Sequence, residues 1–307
     1  MKNIWMWPQT EINSKTITDN MTRLEEIEQY FASLYAPYKV VYFSRARVGM
    51  MAISAVKELA RPQLTFVQPF SSHCVLSAIS HLSTPTTTAL SQSSQQVIYH
   101  QWGEKTQINQ QIYNKVLIED AVDSLILTND KSELFPNNAP FCLISLPKVI
   151  PVSIGAIVVC QFDADYHKLT AQRMLMEQNI DKVLEQINIA PFKEATLQAK
   201  PMLTPVMEKS IKELVELSAE KIKANLVRIH QIFPQILNNV DQFNKRLPSN
   251  VVISQSTISQ LALTEESLAK LIPFTIIEQQ RSYFDYQRQQ CEKVWLLPCH
   301  VQANWTE

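Results

Sequence analysis

Two short runs constrain the fold of this chain more than any other feature: Val116-Leu117-Ile118-Glu119-Asp120 and Phe141-Cys142-Leu143-Ile144-Ser145. Each is apolar until close to its end, with no alternation of wet and dry positions. Such a run suits a strand buried on both faces, the kind found in parallel sheets sandwiched between helices. The flanking sequence agrees. Val40–Phe43 and Leu64–Val67 are further strand candidates, while Met50–Leu59 and Cys74–Leu82 read as helices. Strand, loop and helix thus alternate, which predicts an α/β fold with a mostly parallel sheet covered by helices. Ahead of them, Met21, Leu24, Ile27, Tyr30, Phe31 and Leu34 recur at helical spacing behind a cap at Asp19 or Asn20. Ser91–Gln111, rich in Gln and Ser, reads as a surface connection around one short strand, Val97-Ile98-Tyr99.

Beyond Tyr166 the character changes. Helices are predicted over Ala164–Ile187 and Pro205–Ile232, then strands at Val251–Ile253, Phe274–Ile277 and Val294–Leu297. A short helix, Glu265–Ile272, is expected behind Thr264 as its cap. At 307 residues the chain exceeds one average domain. The expected division is a large α/β domain over 1–205, then a connecting helix and a small α+β domain over 206–307.

Composition excludes several function classes. Lys and Arg number 28 against 29 Asp and Glu, a balance that offers no electrostatic footprint for nucleic acid or an anionic membrane. No apolar stretch approaches the ~20 residues of a membrane span. The first residues lack the apolar core and small-residue cleavage site of a secretory signal. Five scattered cysteines without a Cys-x-x-Cys pair suit free thiols in a reducing cytoplasm better than disulfides or zinc. No His-x-x-x-His pair suggests a metal site.

The chemistry lies at the tips of the two apolar runs. In open α/β sheets ligands collect at the carboxyl ends of the strands. Asp120 ends one run; Ser145 ends the other, and Ser145-Leu146-Pro147-Lys148 follows, with the lysine 148 − 120 = 28 positions after the acid. A pyridoxal phosphate (PLP) site needs these groups: a carboxylate to keep the pyridine nitrogen protonated and a lysine amine to carry the aldehyde. Ser145 suits the cofactor phosphate. Taken singly, the same residues also fit a helix cap and a solvated loop lysine.

Six ordered blocks resemble the DegT/DnrJ/EryC1/StrS sugar aminotransferases, a family of fold-type I PLP enzymes. Phe43–Met50 resembles its Ser-Gly-Thr block, and Pro69-Phe70-Ser71-Ser72-His73-Cys74 with Ser77-Ala78-Ile79 resembles the segment that stacks a ring on the cofactor. His100-Gln101-Trp102-Gly103 is similar to its His-x-aromatic-Gly, and Ile118-Glu119-Asp120-Ala121 to its Glu-Asp-Ala. Ser145-Leu146-Pro147-Lys148, with Pro151 and Gly155-Ala156 after it, resembles the lysine block and its hairpin; Leu297-Pro298-Cys299-His300 resembles the closing Leu-Pro-x-His. The chain has only 3 glycines, and Gly49, Gly103 and Gly155 all fall inside these blocks.

The resemblance implies a seven-stranded, mostly parallel sheet, PLP as cofactor and a homodimer. It also implies amino transfer, with glutamate as donor, to a keto-sugar, nucleotide-linked, for surface polysaccharide. Lys148 is the implied catalytic residue; Asp120, Ser145, His73, Ser44, Arg47 and Asp123 are the implied cofactor-binding residues. The departures are specific. No glycine follows Ser44, and Arg45 and Arg47 either replace backbone amides at the phosphate or are solvated. Phe70 competes with His73 for the stacking role. Asp123 stands where the family has Gln or His against the ring hydroxyl, where a carboxylate repels a phenolate unless protonated or turned away. With the lost glycines, Asp123 also fits an alternative: a fold retained as a binding or partner subunit.

Overall fold

The computed structural model describes residues 6–8, 20–68, 71–87, 91–108, 115–186, 207, 209–254, 277–283, 290–303 and 305, and side-chain placement for most of them. The chain opens with α1 (Asn20–Tyr35), followed by β1 (Lys39–Phe43), α2 (Ala46–Val56), β2 (Leu64–Val67), α3 (His73–Ser80), β3 (Thr84–Thr86) and β4 (Gln95–Tyr99). Then come β5 (Val116–Asp120), β6 (Ser124–Ile126), α4 (Lys131–Leu134), β7 (Phe141–Ser145), β8 (Ala156–Cys160), α5 (Asp163–Gln186) and α6 (Ile211–Ile232). The last strands are β9 (Arg246–Pro248), β10 (Asn250–Ser254), β11 (Ile277–Tyr283) and β12 (Gln290–Pro298).

Seven strands form one sheet in the order β1-β8-β7-β5-β4-β2-β3. All neighbours are parallel except at β8, which runs antiparallel to both β1 and β7. The apolar runs explain themselves here. Along β1, β7 and β8 alternate residues enter two separate cores: Val40, Tyr42, Cys142, Ile144, Ile157 and Val159 on one side, Val41, Phe43, Phe141, Leu143, Val158 and Cys160 on the other. Period-2 side chains with helices on both faces leave no position for a polar residue. The first core is closed by α1 and α6, the second by α2, α3 and α5. In α1, Ile27, Phe31 and Tyr35 recur every four residues along the buried stripe.

The helix expected from Pro205 begins at Ile211, because Ser210 caps it: the Ser210 hydroxyl accepts from the Glu213 amide and the Glu213 side chain accepts from the Ser210 amide. The short strand expected at Val97-Ile98-Tyr99 is present as β4, but it is an interior strand between β2 and β5 and not part of a surface connection. Its polar Gln96 is fully buried, which is why composition pointed outward. Of the strand expected over Phe274–Ile277, Ile277 opens β11, and residues 274–276 lie outside the described residues. The helix expected at Glu265–Ile272 and the domain boundary expected near 205 lie outside the described residues.

The C-terminal strands form a three-stranded antiparallel sheet, β10-β12-β11, and β9 pairs with β6 as a two-stranded ribbon. That ribbon brings the later part of the chain back to the carboxyl end of β5: the Ser249 amide donates to the Asp123 carbonyl at 2.8 Å. On α6, Asn225 Nδ2 donates to the carbonyls of Cys299, His300 and Ala303, which moors the closing Leu-Pro-Cys-His block. Gly103 makes the packing under β9 possible. Its φ is +102°, and a Cβ there would stand 2.4 Å from Pro248 Cα. Gly103→Ala is therefore expected to cost about 2–4 kcal/mol, from positive-φ strain and backbone displacement, measured as a lower urea midpoint at unchanged slope.

Candidate active site

β4, β5 and β7 are parallel, so their carboxyl ends share one edge, with Tyr99 beside Asp120 and Asp120 beside Leu143 in register. Ser145 lies one pleat further, and the 3₁₀ turn Leu146–Lys148, with Pro147 inside it, swings the lysine back toward the edge. A cavity of about 560 Å³ opens there, lined by Ser44, Arg47, His73, Asp120, Ser145 and Lys148 among others. Six of the seven residues singled out from the sequence thus meet in one place. The seventh, Asp123, sits directly behind the cavity, bonded to Lys148 Nζ at 2.8 Å.

Neighbouring acids on β5 have opposite surroundings. Glu119 points away from the cavity and its carboxylate accepts from the Asn137 amide (2.7 Å), Asn137 Nδ2 (3.0 Å), the Ala139 amide (3.3 Å) and His100 Nε2 (3.0 Å). His100 Nδ1 accepts from the Thr106 amide at 3.0 Å, so its proton sits on Nε2. Burial holds His100 down to about 4, further aided by the Arg246 charge and opposed by Glu119; it is a neutral donor. Asp120, on the other face, is fully buried, and among the described residues neither carboxylate oxygen has a hydrogen-bond partner.

That orphaned carboxylate is the anomaly of the site. Buried carboxylates are ordinarily saturated with donors, because an unpaired one carries a desolvation cost of several kcal/mol. Burial pushes Asp120 from 3.8 up to about 7, against the pull of the Lys148 ammonium; the Asp123 carboxylate adds to the rise, and the Val122 amide opposes it from outside hydrogen-bond geometry. What satisfies such a group is a positively charged N–H donor placed in the cavity. A protonated pyridine nitrogen fits.

Asp123 answers the question its type raised. It is turned to the protein: Oδ1 faces Lys148, while Oδ2 accepts from the Tyr99 hydroxyl and from the Trp102 amide at 3.1 Å. Burial, then the Asp123 charge, push the Tyr99 hydroxyl well above the usual phenol range, so it stays a donor. The sequence reading missed Tyr99, although its place at the end of Val97-Ile98-Tyr99 was the signal that had marked Asp120. It also missed Trp7, for which no spacing gives a hint.

The opposite wall is the start of α2. Ser44 is half-buried, and its carbonyl accepts from the Gly155 amide at 2.9 Å. Gly155 has φ +130°, and a Cβ there would meet Leu146 at 3.0 Å and Tyr42 at 3.1 Å. The hairpin glycine thus locks the first block to the lysine block. Arg45 and Arg47 are exposed on the cavity wall, and among the described residues no ion pair holds either guanidinium. With the first turn of α2 they supply positive potential for an anion. His73 is exposed on the same wall at the start of α3; its competitor Phe70 lies outside the described residues.

Comparison with known proteins agrees with this geometry. Three solved structures share the fold, each at TM-score 0.59: "Putative sugar aminotransferase Spr1654" from Streptococcus pneumoniae (12% identity, 98% of this chain, 94% of that one), DesI in the presence of its TDP-sugar product (13%, 99% and 90%) and Helicobacter pylori PseC, an aminotransferase of pseudoaminic acid biosynthesis (13%, 99% and 95%). No curated protein matches the sequence. Among the described residues no helix is long and apolar enough to cross a membrane.

If Asp120 awaits a cationic partner, Asp120→Asn should stabilise the protein without PLP. The sign follows from linkage: a carboxyl raised on folding binds its proton more tightly when folded, so stability falls as pH climbs from 3.8 to about 7. The gain from Asp120→Asn is thus expected to be larger at about pH 8 than at about pH 5 in thermal unfolding, while PLP affinity falls. A family model described as "Putative PLP-dependent aminotransferase" matches residues 27–302, nearly the whole chain; with Asp120 and Lys148 on one cavity, the chain belongs to this family of PLP-dependent aminotransferases.

Proposed function

We propose that the chain moves an amino group from glutamate to a keto-sugar, carried on a nucleotide, for surface polysaccharide synthesis in the cytoplasm. The observation that carries the reading is the unpartnered, fully buried Asp120 on a cavity it shares with Lys148. Sugar aminotransferases of the same fold and a cavity lined by two arginines support the substrate class, since a nucleotide-linked sugar brings phosphates with it.

PLP supplies, when bound, an aldehyde that joins amines and a protonated ring that draws electrons from the adjoining carbon. The protein's residues do the rest. Asp120 receives the ring N–H and keeps that proton in place. Ser44, Ser145 and Arg47, with the α2 N-terminus, hold the phosphate. His73 covers a ring face. Lys148 Nζ would hold the cofactor aldehyde, and it is placed to take a proton from the substrate carbon and return it. Asp123 takes part through that amine, fixing Nζ from behind. The resemblance further supports a homodimer.

Lys148→Ala should abolish borohydride-stable attachment of PLP, read as loss of the added mass on the Lys148 peptide; attachment persisting elsewhere would remove Lys148 from its role. Arg47→Ala is expected to weaken PLP binding about tenfold or more, the scale of one charge-assisted contact, while leaving thermal stability without PLP near that of the parent. Screening nucleotide keto-sugars against free keto acids with glutamate, and reading 2-oxoglutarate, tests the substrate class.

A further inference from the structure

Residues 6–8 form part of the cavity wall. Met6 and Trp7 line it, while Pro8 is buried. The segment is fixed to the C-terminal sheet: the Met6 carbonyl accepts from Asn250 Nδ2 at 3.3 Å, and the Met6 side chain packs with Trp102, Leu296 and Val252. Between these anchors Trp7 presents its ring to the lysine, with Nζ 4.8 Å from the ring centroid. That is inside the ~6 Å reach over which an aromatic face attracts a cation.

Lys148 Nζ therefore has two fixed neighbours of different kinds. Asp123, held by Tyr99 and the Trp102 amide, attracts it from the protein side; the Trp7 face attracts it from the cavity side. Asp120 is a further titratable group coupled to the amine by charge, and Arg45 and Arg47 line the same cavity. A lysine ammonium is a point charge on a flexible four-carbon stem. One carboxylate fixes its distance but not its direction, and a second contact defines a place. To move protons at a substrate carbon, the lysine amine would have to stay poised at one place in the cavity. A defined seat meets that requirement.

We infer that Trp7 is a positioning residue of the active site, whose indole face and the Asp123 carboxylate together seat the Lys148 amine, and that residues 6–8 are a working wall of the site. The inference rests on Lys148 being the reactive amine and adds to that reading a residue from the far end of the chain.

The test reads the lysine directly. Full-length protein without added PLP is acylated with acetic anhydride across neutral to alkaline pH, and Lys148 modification is quantified by mass spectrometry against the exposed Lys212, whose side chain is 69% accessible. An aromatic face favours the charged, unreactive amine. Trp7→Leu should therefore shift the Lys148 reactivity profile to lower pH and raise acylation below its plateau about twofold to tenfold. Trp7→Phe, which keeps a ring face, should stay within about twofold of the parent. Trp7→Met stands in for the leucine variant if that one fails to fold. A rise of equal size at every pH, plateau included, would show that Trp7 only shields the lysine, and it overturns the proposal, as does an unchanged profile. PLP trapping by borohydride is run in parallel. If the parent traps none, the assignment of Lys148 fails while the acylation profile still decides the place of Trp7.

Discussion

Everything at this site depends on the pleat of one strand. Glu119 and Asp120 are adjacent, both fully buried and both acidic, yet the two-residue period of β5 sends them to opposite faces. One carboxylate is saturated by His100, Asn137 and the Ala139 amide, which ties two loops to the sheet edge. The other has no hydrogen-bond partner among the described residues. A one-residue slip in the register of β5 would exchange those roles and leave the site without its anion.

The two buried groups also respond to pH in opposite senses. Asp120, pushed up by burial, binds its proton more tightly in the folded protein; His100, pushed down by burial, binds its proton more weakly. The first lowers stability as pH rises from 3.8 to about 7, and the second raises stability as pH rises from about 4 to 6.5. The contributions offset one another through much of that range. A cationic ligand acts on Asp120 alone, relieving its penalty and leaving the His100–Glu119 pair untouched.

Glycine economy follows a similar logic. With 3 glycines in 307 residues, the chain keeps them where a side chain would meet its neighbours. Gly103 lies against Pro248, where β9 covers the turn that presents the Trp102 amide to Asp123. Gly155 bonds the Ser44 carbonyl beside the lysine loop. Both serve the site by allowing two backbones to approach. The glycine absent after Ser44 is replaced by Arg45, in extended conformation just ahead of α2, so the helix still starts at the cavity wall.

The alternating elements and the two loaded strand tips were legible because they are local: a doubly buried strand writes itself as an apolar run, and an acid or serine at its end is visible by position. Tyr99 obeys the same rule, and its short strand is legible too; polar neighbours, among them the buried Gln96, hide only that the strand lies inside the sheet. The partner of Asp123 was not legible, since a carboxylate beside a ring hydroxyl and one turned toward an amine share one sequence; Tyr99 and Trp102 from one segment and Lys148 from another turn it toward the amine. Trp7 lies further still from any local signal, carried to the lysine by anchors on β10 and β12. The residues alone thus pointed to the alternating elements of a mostly parallel sheet and to the two strand tips that carry the acid and the Ser-x-x-Lys, because backbone periodicity is a property of contiguous sequence. Only the tertiary structure decided which charges face each other across the cavity, because that depends on where distant segments of the chain come to rest.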